Sequence, residues 1–159
     1  MHLLFICTGN TCRSPMAAFF ARHEIHQRGL GWSVESAGLY AVPGQPMSML
    51  AADALTRRQI PLQNHASQPV TEELVQWADV ILVMTASHAQ DLERRFPAAK
   101  GKTALLGRFL ADDPSNEQVE CDIVDPFGGS DREYEDCARD LQNAVSRLID
   151  YLETKGGVL

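Results

Sequence analysis

Short apolar runs, each followed by an amphipathic segment, constrain the fold of this 159-residue chain most strongly. The runs at residues 2–6 and 79–84 are almost wholly apolar, which is typical of strands buried on both faces. Residues 32–36 and 103–106 are two weaker strand candidates. Because strands separated by helices indicate βαβ units, we expect four strands in a mainly parallel sheet.

Five helices are predicted from apolar residues at helical spacing. They span residues 14–28, 47–58, a short stretch that begins at Thr71, 87–95 and 131–155. Gly29 and Pro97 follow two of them and are residues that end helices. Weak periodicity over residues 110–124 predicts a polar loop. We therefore expect an α/β fold, with a four-stranded parallel sheet and helices on both faces, in a single domain over residues 1–159.

Charge and hydropathy limit the classes of protein to which the chain could belong. A net charge of −7 argues against a general nucleic-acid binder, which needs a basic surface. No apolar stretch approaches the ~18 residues of a membrane span, and the N-terminal apolar run is too short for a signal peptide. We expect neither a nucleic-acid nor a membrane partner, and the sequence makes no prediction of the oligomeric state.

Cysteine and histidine usage bears on compartment and cofactors. The four cysteines lack the density and spacing of a secreted disulfide framework, which favours a reducing cytoplasm. The five histidines are scattered and none lies in a zinc-protease motif, so no metal is expected. No other motif calls for a cofactor, and none is expected.

The strongest chemical signal lies between the first predicted strand and helix and reads Cys7-Thr8-Gly9-Asn10-Thr11-Cys12-Arg13-Ser14-Pro15. A thiolate is a nucleophile, and the unpaired amides that begin a helix favour anions. The loop amides can form an anion-binding nest, with Gly9 relieving steric limits at the sharp turn, while the Arg13 guanidinium holds two phosphate oxygens. The segment predicts a thiolate that faces a bound phosphate. A buried structural cysteine beside an unrelated arginine is the alternative.

Phosphoryl transfer also needs an acid for the leaving group, and the best candidate is Asp125. It begins the segment Asp125-Pro126-Phe127-Gly128-Gly129-Ser130, in which proline disfavours a helix and the glycines favour a mobile, exposed loop. A plainer interpretation is a turn in which Ser130 or Asp131 caps the last helix. The two interpretations are compatible.

Together the two motifs resemble the low-molecular-weight protein-tyrosine phosphatase family, with Ser36-Ala37-Gly38 and Ala78-Asp79 as further matches along the whole chain. The resemblance implies a single phosphatase domain that acts on phosphorylated proteins without a metal, through a phosphocysteine intermediate. It also implies three catalytic roles. Cys7 would be the nucleophile, Arg13 would bind phosphate and the transition state, and Asp125 would protonate the leaving group and then activate water.

The resemblance further implies a set of residues around the substrate. The substrate-binding residues would be Thr8, Gly9, Asn10, Thr11, Cys12, Ser14 and Phe127. Ser14 would donate a hydrogen bond to the thiolate, and Asn10 would hold the loop's shape. Ser36 and His65 would support Asn10 from behind, the alternatives being an ordinary turn residue and a surface histidine.

Two positions depart from the usual tyrosine phosphatases and resemble the bacterial protein-arginine phosphatase branch. Position 11 is threonine where an aliphatic residue is usual, and the acid segment has Phe-Gly-Gly-Ser in place of adjacent tyrosines. The Thr11 hydroxyl suits a polar guanidino group, with which Asp125 could pair while Phe127 packs against its plane. We therefore expect a protein-arginine phosphatase that hydrolyses phosphoarginine, with neutral variation as the alternative explanation of Thr11.

Three other functions compete with this one. A low-molecular-weight protein-tyrosine phosphatase of the same fold is the main alternative. An arsenate reductase shares the loop type, but Cys121 and Cys137 lack the local pairing that a disulfide shuttle needs. A phosphoprotein-binding module without catalysis would need neither a nucleophile nor an acid.

Cys12 adds a redox hypothesis. Under oxidants it could form a disulfide with Cys7 and so protect the thiolate from irreversible oxidation. The alternative is that Cys12 is a small buried residue in a tight loop.

Overall fold

In the computed structural model, which describes residues 1–116 and 121–159, every predicted apolar run forms a strand. The strands are β1 (His2–Cys7), β2 (Ser33–Gly38), β3 (Val80–Val83) and β4 (Thr103–Leu105). Neighbouring strands pair in parallel in the order β2-β1-β3-β4. Cys7 therefore ends a central strand, and its partner in β2 is Gly38.

Five α-helices occur in the described part of the chain, and a short 3₁₀ turn lies on either side of β4. The helices are α1 (Arg13–Gln27), α2 (Met49–Arg57), α3 (Glu72–Trp77), α4 (Ala86–Arg95) and α5 (Asp131–Thr154). The predicted loop at residues 110–124 includes residues 117–120, which lie outside the described residues. Over residues 1–116 and 121–159, no helix has the length and apolarity needed to cross a membrane.

Alternate side chains of β1 enter two separate hydrophobic cores. Leu3 and Phe5 belong to the larger core, which α1, α2 and α5 cover, whereas Leu4 and Ile6 belong to the smaller core under α3 and α4. The expected α/β class, with a four-stranded parallel sheet and helices on both faces, is confirmed. Burial on both faces holds β1 in place, so the loop after Cys7 lies at the carboxyl edge, where open α/β sheets bind ligands.

Gly38 lies where the end of β2 passes close to the loop that follows Cys7. A Cβ atom at this position would lie 2.5 Å from the Thr8 carbonyl oxygen and 2.9 Å from the Asn10 backbone nitrogen. Both neighbours are backbone atoms, so no side-chain rotation could relieve the overlap. Glycine therefore allows the close approach that shapes the loop.

Replacing Gly38 by alanine should lower the free energy of unfolding by about 1–3 kcal/mol, the usual cost of overpacking. Turnover should also fall, because the displaced atoms belong to the loop beside Cys7. Gly31→Ala is the matched control, since a Cβ there would meet nothing within 4 Å. Urea unfolding followed by circular dichroism measures both variants, and equal free energies would contradict the role given to Gly38.

Candidate active site

The loop over residues 8–12 turns sharply at Asn10. Asn10 has a φ of +58°, whereas Gly9 is not in the left-handed region. A Cβ atom on Gly9 would come no closer than 3.8 Å to the Thr11 hydroxyl oxygen, an ordinary contact. The expectation that Gly9 relieves the turn is therefore wrong. Asparagine adopts this conformation more readily than most residues because its short polar side chain bonds locally.

The Asn10 side chain is completely buried and every polar atom on it is bonded. Its Nδ2 donates to Ser14 Oγ at 2.8 Å and to Ser36 Oγ at 3.0 Å. Its Oδ1 accepts from the Gln68 backbone N–H at 3.0 Å. The Asn10 carbonyl oxygen lies 2.7 Å from His65 Nε2. Ser36 and His65 thus both contact Asn10 from behind the loop.

Cys7 is buried at the end of β1 and its sulfur has two hydrogen-bonding neighbours. Ser14 Oγ lies 2.9 Å from Cys7 Sγ, and the Asn10 backbone N–H donates to the same sulfur at 3.3 Å. Helix α1 begins at Arg13 with no side-chain cap on its first amides. These amides and the Arg13 guanidinium give the loop a local positive potential in a negatively charged protein.

Arg13 and Asp125 face each other across the site. The buried Arg13 Nη1 donates to the Ile123 carbonyl at 2.9 Å, and Nη2 lies 3.4 Å from Asp125 Oδ2. The Ile123 N–H bonds to the Met84 carbonyl just after β3, at 2.8 Å, which attaches the Asp125 segment to the sheet. Half of the Asp125 side chain remains exposed, so the carboxyl group can exchange protons with water.

The Asp125 segment is also a turn that begins α5. Its carboxylate accepts from the Phe127 backbone N–H at 3.1 Å, and the Gly129 N–H bonds to the Pro126 carbonyl at 2.8 Å. Ser130 caps α5, and its exchange of hydrogen bonds with Glu133 forms a capping box. Both interpretations of this segment are therefore compatible with the structure.

A cavity of about 210 Å³ joins these groups. It is lined by Cys7, Thr8, Gly9, Thr11, Cys12, Arg13, Asp125 and Phe127. The Phe127 side chain is mostly exposed, while Asn10 and Ser14 are fully buried behind the cavity wall. The volume lies below the ~300–1,000 Å³ of most small-molecule pockets, which suits a site that takes only the end of a side chain.

No group of three or more histidine, cysteine, aspartate or glutamate side chains in residues 1–116 and 121–159 could hold a metal ion. The chemical groups at the cavity are a thiol, hydrogen-bond donors suited to phosphate oxygens, and a carboxyl group opposite. Such an arrangement can transfer a phosphoryl group to sulfur and then to water. On an α/β fold, such an arrangement is typical of a cysteine-dependent phosphatase.

Comparison with known proteins identifies the family. The family model described as "Low molecular weight phosphotyrosine protein phosphatase" matches residues 2–157, and the chain belongs to this family. The expectation of a cysteine-dependent protein phosphatase is thereby confirmed.

The relatives include both arginine and tyrosine phosphatases. A "Protein-arginine-phosphatase" from Bacillus subtilis (strain 168) is 36% identical over 153 residues, which cover 96% of this chain and 97% of the relative. A "Probable low molecular weight protein-tyrosine-phosphatase EpsP" from Ralstonia nicotianae is 32% identical over 97% of each chain. A solved structure of the YwlE arginine phosphatase, a C7S mutant with a phosphorylated active-site serine, superposes with a TM-score of 0.88 at 35% identity, covering 96% of both chains.

Sequence reasoning also missed the side chains of His88, Tyr134 and Ser48, which lie at or next to the loop. His88 Nε2 lies 2.8 Å from Thr8 Oγ1, and the Tyr134 hydroxyl lies 3.4 Å from Cys12 Sγ while it accepts from Ser48 Oγ at 3.2 Å. These contacts join distant parts of the chain, so local patterns do not show them. Tyr134 did carry a signal, since a tyrosine on the apolar face of a helix needs a partner for its hydroxyl.

Two of these side chains are held neutral by their surroundings. Burial, supported by the charge of Arg13, lowers the pKa of His88 to about 4. Burial and the hydrogen bond with Cys12 raise the pKa of Tyr134 to about 12. Near neutral pH, the groups that contact Thr8 and Cys12 therefore carry no charge.

Replacing Asn10 by alanine should cost about 2–4 kcal/mol of unfolding free energy, because it leaves buried partners unpaired and places alanine at a positive φ. Gln59→Ala is the matched control, since exposed Gln59 also has a φ of +58°. The control should cost under about 1 kcal/mol, because glutamine and alanine both carry a Cβ and share the same backbone penalty at this φ. Chemical denaturation measures both, and an equal loss would show that the Asn10 hydrogen bonds contribute little.

The lowered pKa of His88 predicts a pH dependence of stability. The His88 ring takes up a proton near pH 6.5 in the unfolded chain but only near pH 4 in the folded protein. The contribution of neutral His88 to the free energy of unfolding is therefore complete above pH 6.5 and is lost as the pH falls towards 4. The wild type should lose about 2 kcal/mol more than His88→Gln between pH 7 and pH 5. Urea unfolding of both proteins at both pH values tests this, and equal losses of unfolding free energy in the wild type and His88→Gln would refute it.

Proposed function

We propose that the protein hydrolyses phosphoarginine on other proteins through a phosphocysteine at Cys7. The observation that carries the proposal is the lining of the cavity, where the Thr11 hydroxyl and the Asp125 carboxylate lie beside Cys7 with Phe127 at the mouth. The arginine phosphatases among the relatives support the same assignment.

In the first step, the Cys7 thiolate attacks phosphorus and the bond between phosphorus and the guanidino nitrogen breaks. Protonated Asp125 gives its proton to the departing nitrogen, so the cationic phosphoguanidinium group releases arginine as its ordinary guanidinium cation. The Arg13 guanidinium and the amides that begin α1 neutralise the phosphoryl oxygens throughout. Ser14 Oγ and the Asn10 N–H hold the sulfur in position.

In the second step, the phosphocysteine is hydrolysed. The Asp125 carboxylate takes a proton from water, the water oxygen attacks phosphorus, and the phosphorus–sulfur bond breaks to return the Cys7 thiolate. Because half of the Asp125 side chain is exposed, water reaches this carboxylate directly. One carboxyl group thus serves as the acid in one step and the base in the other.

The preference for phosphoarginine is attributed to the polar wall at position 11. The Thr11 hydroxyl has only a weak 3.8 Å contact with Cys12 Sγ, so it remains available to a guanidino N–H. Once Asp125 has given up its proton, its carboxylate can pair with the departing guanidinium cation, and the exposed Phe127 ring can stack on the plane of that group. A phosphotyrosine ring would leave the hydroxyl unpaired, which costs about 1–3 kcal/mol.

Peptides that carry phosphoarginine or phosphotyrosine at the same position test the proposal. The ratio of kcat/KM should favour phosphoarginine, and Cys7→Ser should release no phosphate from either peptide. An equal or reversed ratio would assign the protein to tyrosine phosphatase activity, the alternative that several relatives favour. We also place its action in the cytoplasm, where the nucleophile stays reduced.

Replacing Thr11 by isoleucine should move the ratio of kcat/KM towards phosphotyrosine by about 5- to 100-fold, the equivalent of one unpaired hydroxyl. Thr11→Ser is the matched control, because it keeps the hydroxyl and should keep the preference. Both variants are assayed on the same pair of peptides. An unchanged ratio in Thr11→Ile would show that another residue selects the substrate.

We propose, in addition, that Cys12 protects Cys7 from irreversible oxidation. All four cysteines are free thiols in the structure. Hydrogen peroxide would oxidise the Cys7 thiolate to a sulfenic acid with release of hydroxide. The Cys12 thiol would then attack that sulfur, so that a disulfide forms and water leaves. A dithiol restores both groups.

After mild peroxide treatment, the wild type should recover its activity with dithiothreitol, whereas Cys12→Ser should lose it permanently to sulfinic acid. Cys137→Ser is the matched control, since burial raises the pKa of the Cys137 thiol to about 12 and makes it unreactive. Mass spectrometry identifies the products. Sulfinic acid at Cys7 in the wild type, without a bond to Cys12, would exclude the protective role.

A further inference from the structure

Thr8 lies on the border between the catalytic cavity and a second cavity of about 500 Å³. His88, at the beginning of α4, lines this second cavity and contacts Thr8 from that side. Thr8 therefore lies between the His88 ring, which its hydroxyl contacts, and the space in front of Cys7. Neither catalytic step above uses this hydroxyl.

The contact between Thr8 Oγ1 and His88 Nε2, at 2.8 Å, is compatible with either direction of donation. The other ring nitrogen, His88 Nδ1, is buried and has no hydrogen-bond partner among the described residues. The proton of the neutral ring must lie on one nitrogen or the other. Its position decides whether Thr8 donates to the ring or accepts from it.

The cost of the unpaired nitrogen selects the tautomer. A proton on Nδ1 would leave a buried N–H without an acceptor, and orphaned buried N–H groups are rarer than unpaired acceptors. A proton on Nε2 leaves only an unpaired lone pair at Nδ1. His88 therefore donates from Nε2 to Thr8 Oγ1. The lowered pKa of His88 agrees with this, because a doubly protonated ring would bury both a charge and an unpaired N–H.

We propose that His88 is a positioning residue that directs the Thr8 hydroxyl proton into the catalytic cavity, where it donates a hydrogen bond to a phosphoryl oxygen. Because the His88 N–H occupies one side of Thr8 Oγ1, the hydroxyl proton must point away from the ring. The inference rests on the phosphatase function proposed for the cavity and adds one donor to those of Arg13 and the loop amides.

Nitrogen-15 NMR of the full-length protein tests the tautomer without relying on turnover. The His88 ring should show a protonated Nε2 and a bare Nδ1 near neutral pH. A proton on Nδ1 would overturn the inference, since Thr8 would then donate to the ring and not to phosphate. This result would leave the proposed phosphatase function untouched, so the two failures are distinguishable.

Kinetics with an aryl phosphate, and inhibition by inorganic phosphate, test whether the Thr8 hydroxyl donates to a phosphoryl oxygen. Thr8→Val should lower kcat/KM and weaken phosphate inhibition by about 10- to 100-fold, as expected for one hydrogen bond to a charged group. Thr8→Ser, which keeps the hydroxyl, should retain most of both. Unchanged phosphate inhibition in Thr8→Val would overturn the role of the hydroxyl.

A double-mutant cycle then separates positioning from general support of the fold. His88→Leu should reproduce the Thr8→Val defect, and the double variant should be no worse than either single variant. His88→Gln, whose amide N–H can replace Nε2–H, should rescue phosphate inhibition. Additive losses, or no rescue by glutamine, would reduce His88 to a structural residue. If His88→Leu does not fold, the glutamine variant and the NMR tautomer decide the question.

Discussion

The structure depends first on the hydrogen bonds that hold a buried asparagine in the left-handed conformation. Asn10 turns the loop so that its backbone N–H reaches the sulfur of Cys7, and its side chain fixes Ser14 from the other side. A left-handed residue is tolerated here because all of its side-chain polar atoms are paired, with Ser36 and Gln68 as the remaining partners. The conformation therefore persists because strand β2 and the segment between α2 and α3 pack behind the loop.

A second constraint is electrostatic. The chain carries a net charge of −7, yet the function proposed for its cavity requires that the cavity attract an anionic phosphoryl group. The uncapped beginning of α1 and the buried Arg13 supply the local positive potential, while Asp125 stays near enough to balance it in the free enzyme. The same positive charge helps to keep His88 neutral. Arg13 thus contributes both to the positive potential of the cavity and, second to burial, to the neutral state of the His88 ring.

Much of this fold was predictable because its strands and helices follow local patterns. The apolar runs and the helical spacing located every strand and α-helix of the described residues to within two positions. The cavity was predictable in part, since Cys7 and Arg13 share one short loop and only Asp125 had to be found far along the chain. Gly9 was interpreted wrongly, because the identity of a residue does not show where a turn is sharpest. The contacts of His88 and Tyr134 were missed for a different reason: each joins segments about 80 or more residues apart.

By itself, the sequence determined the class of fold and predicted the nucleophile loop and the candidate acid, because each of these depends on residues that are neighbours along the chain. Only the tertiary structure decided which groups surround that loop. It placed Asn10 behind the cavity wall, brought Asp125 to 3.4 Å from Arg13 through the attachment of Ile123 to the sheet, and set a neutral His88 against Thr8. Hydrogen-bond directions and pKa values depend on burial and on distances between remote segments, and these exist only once the chain has folded.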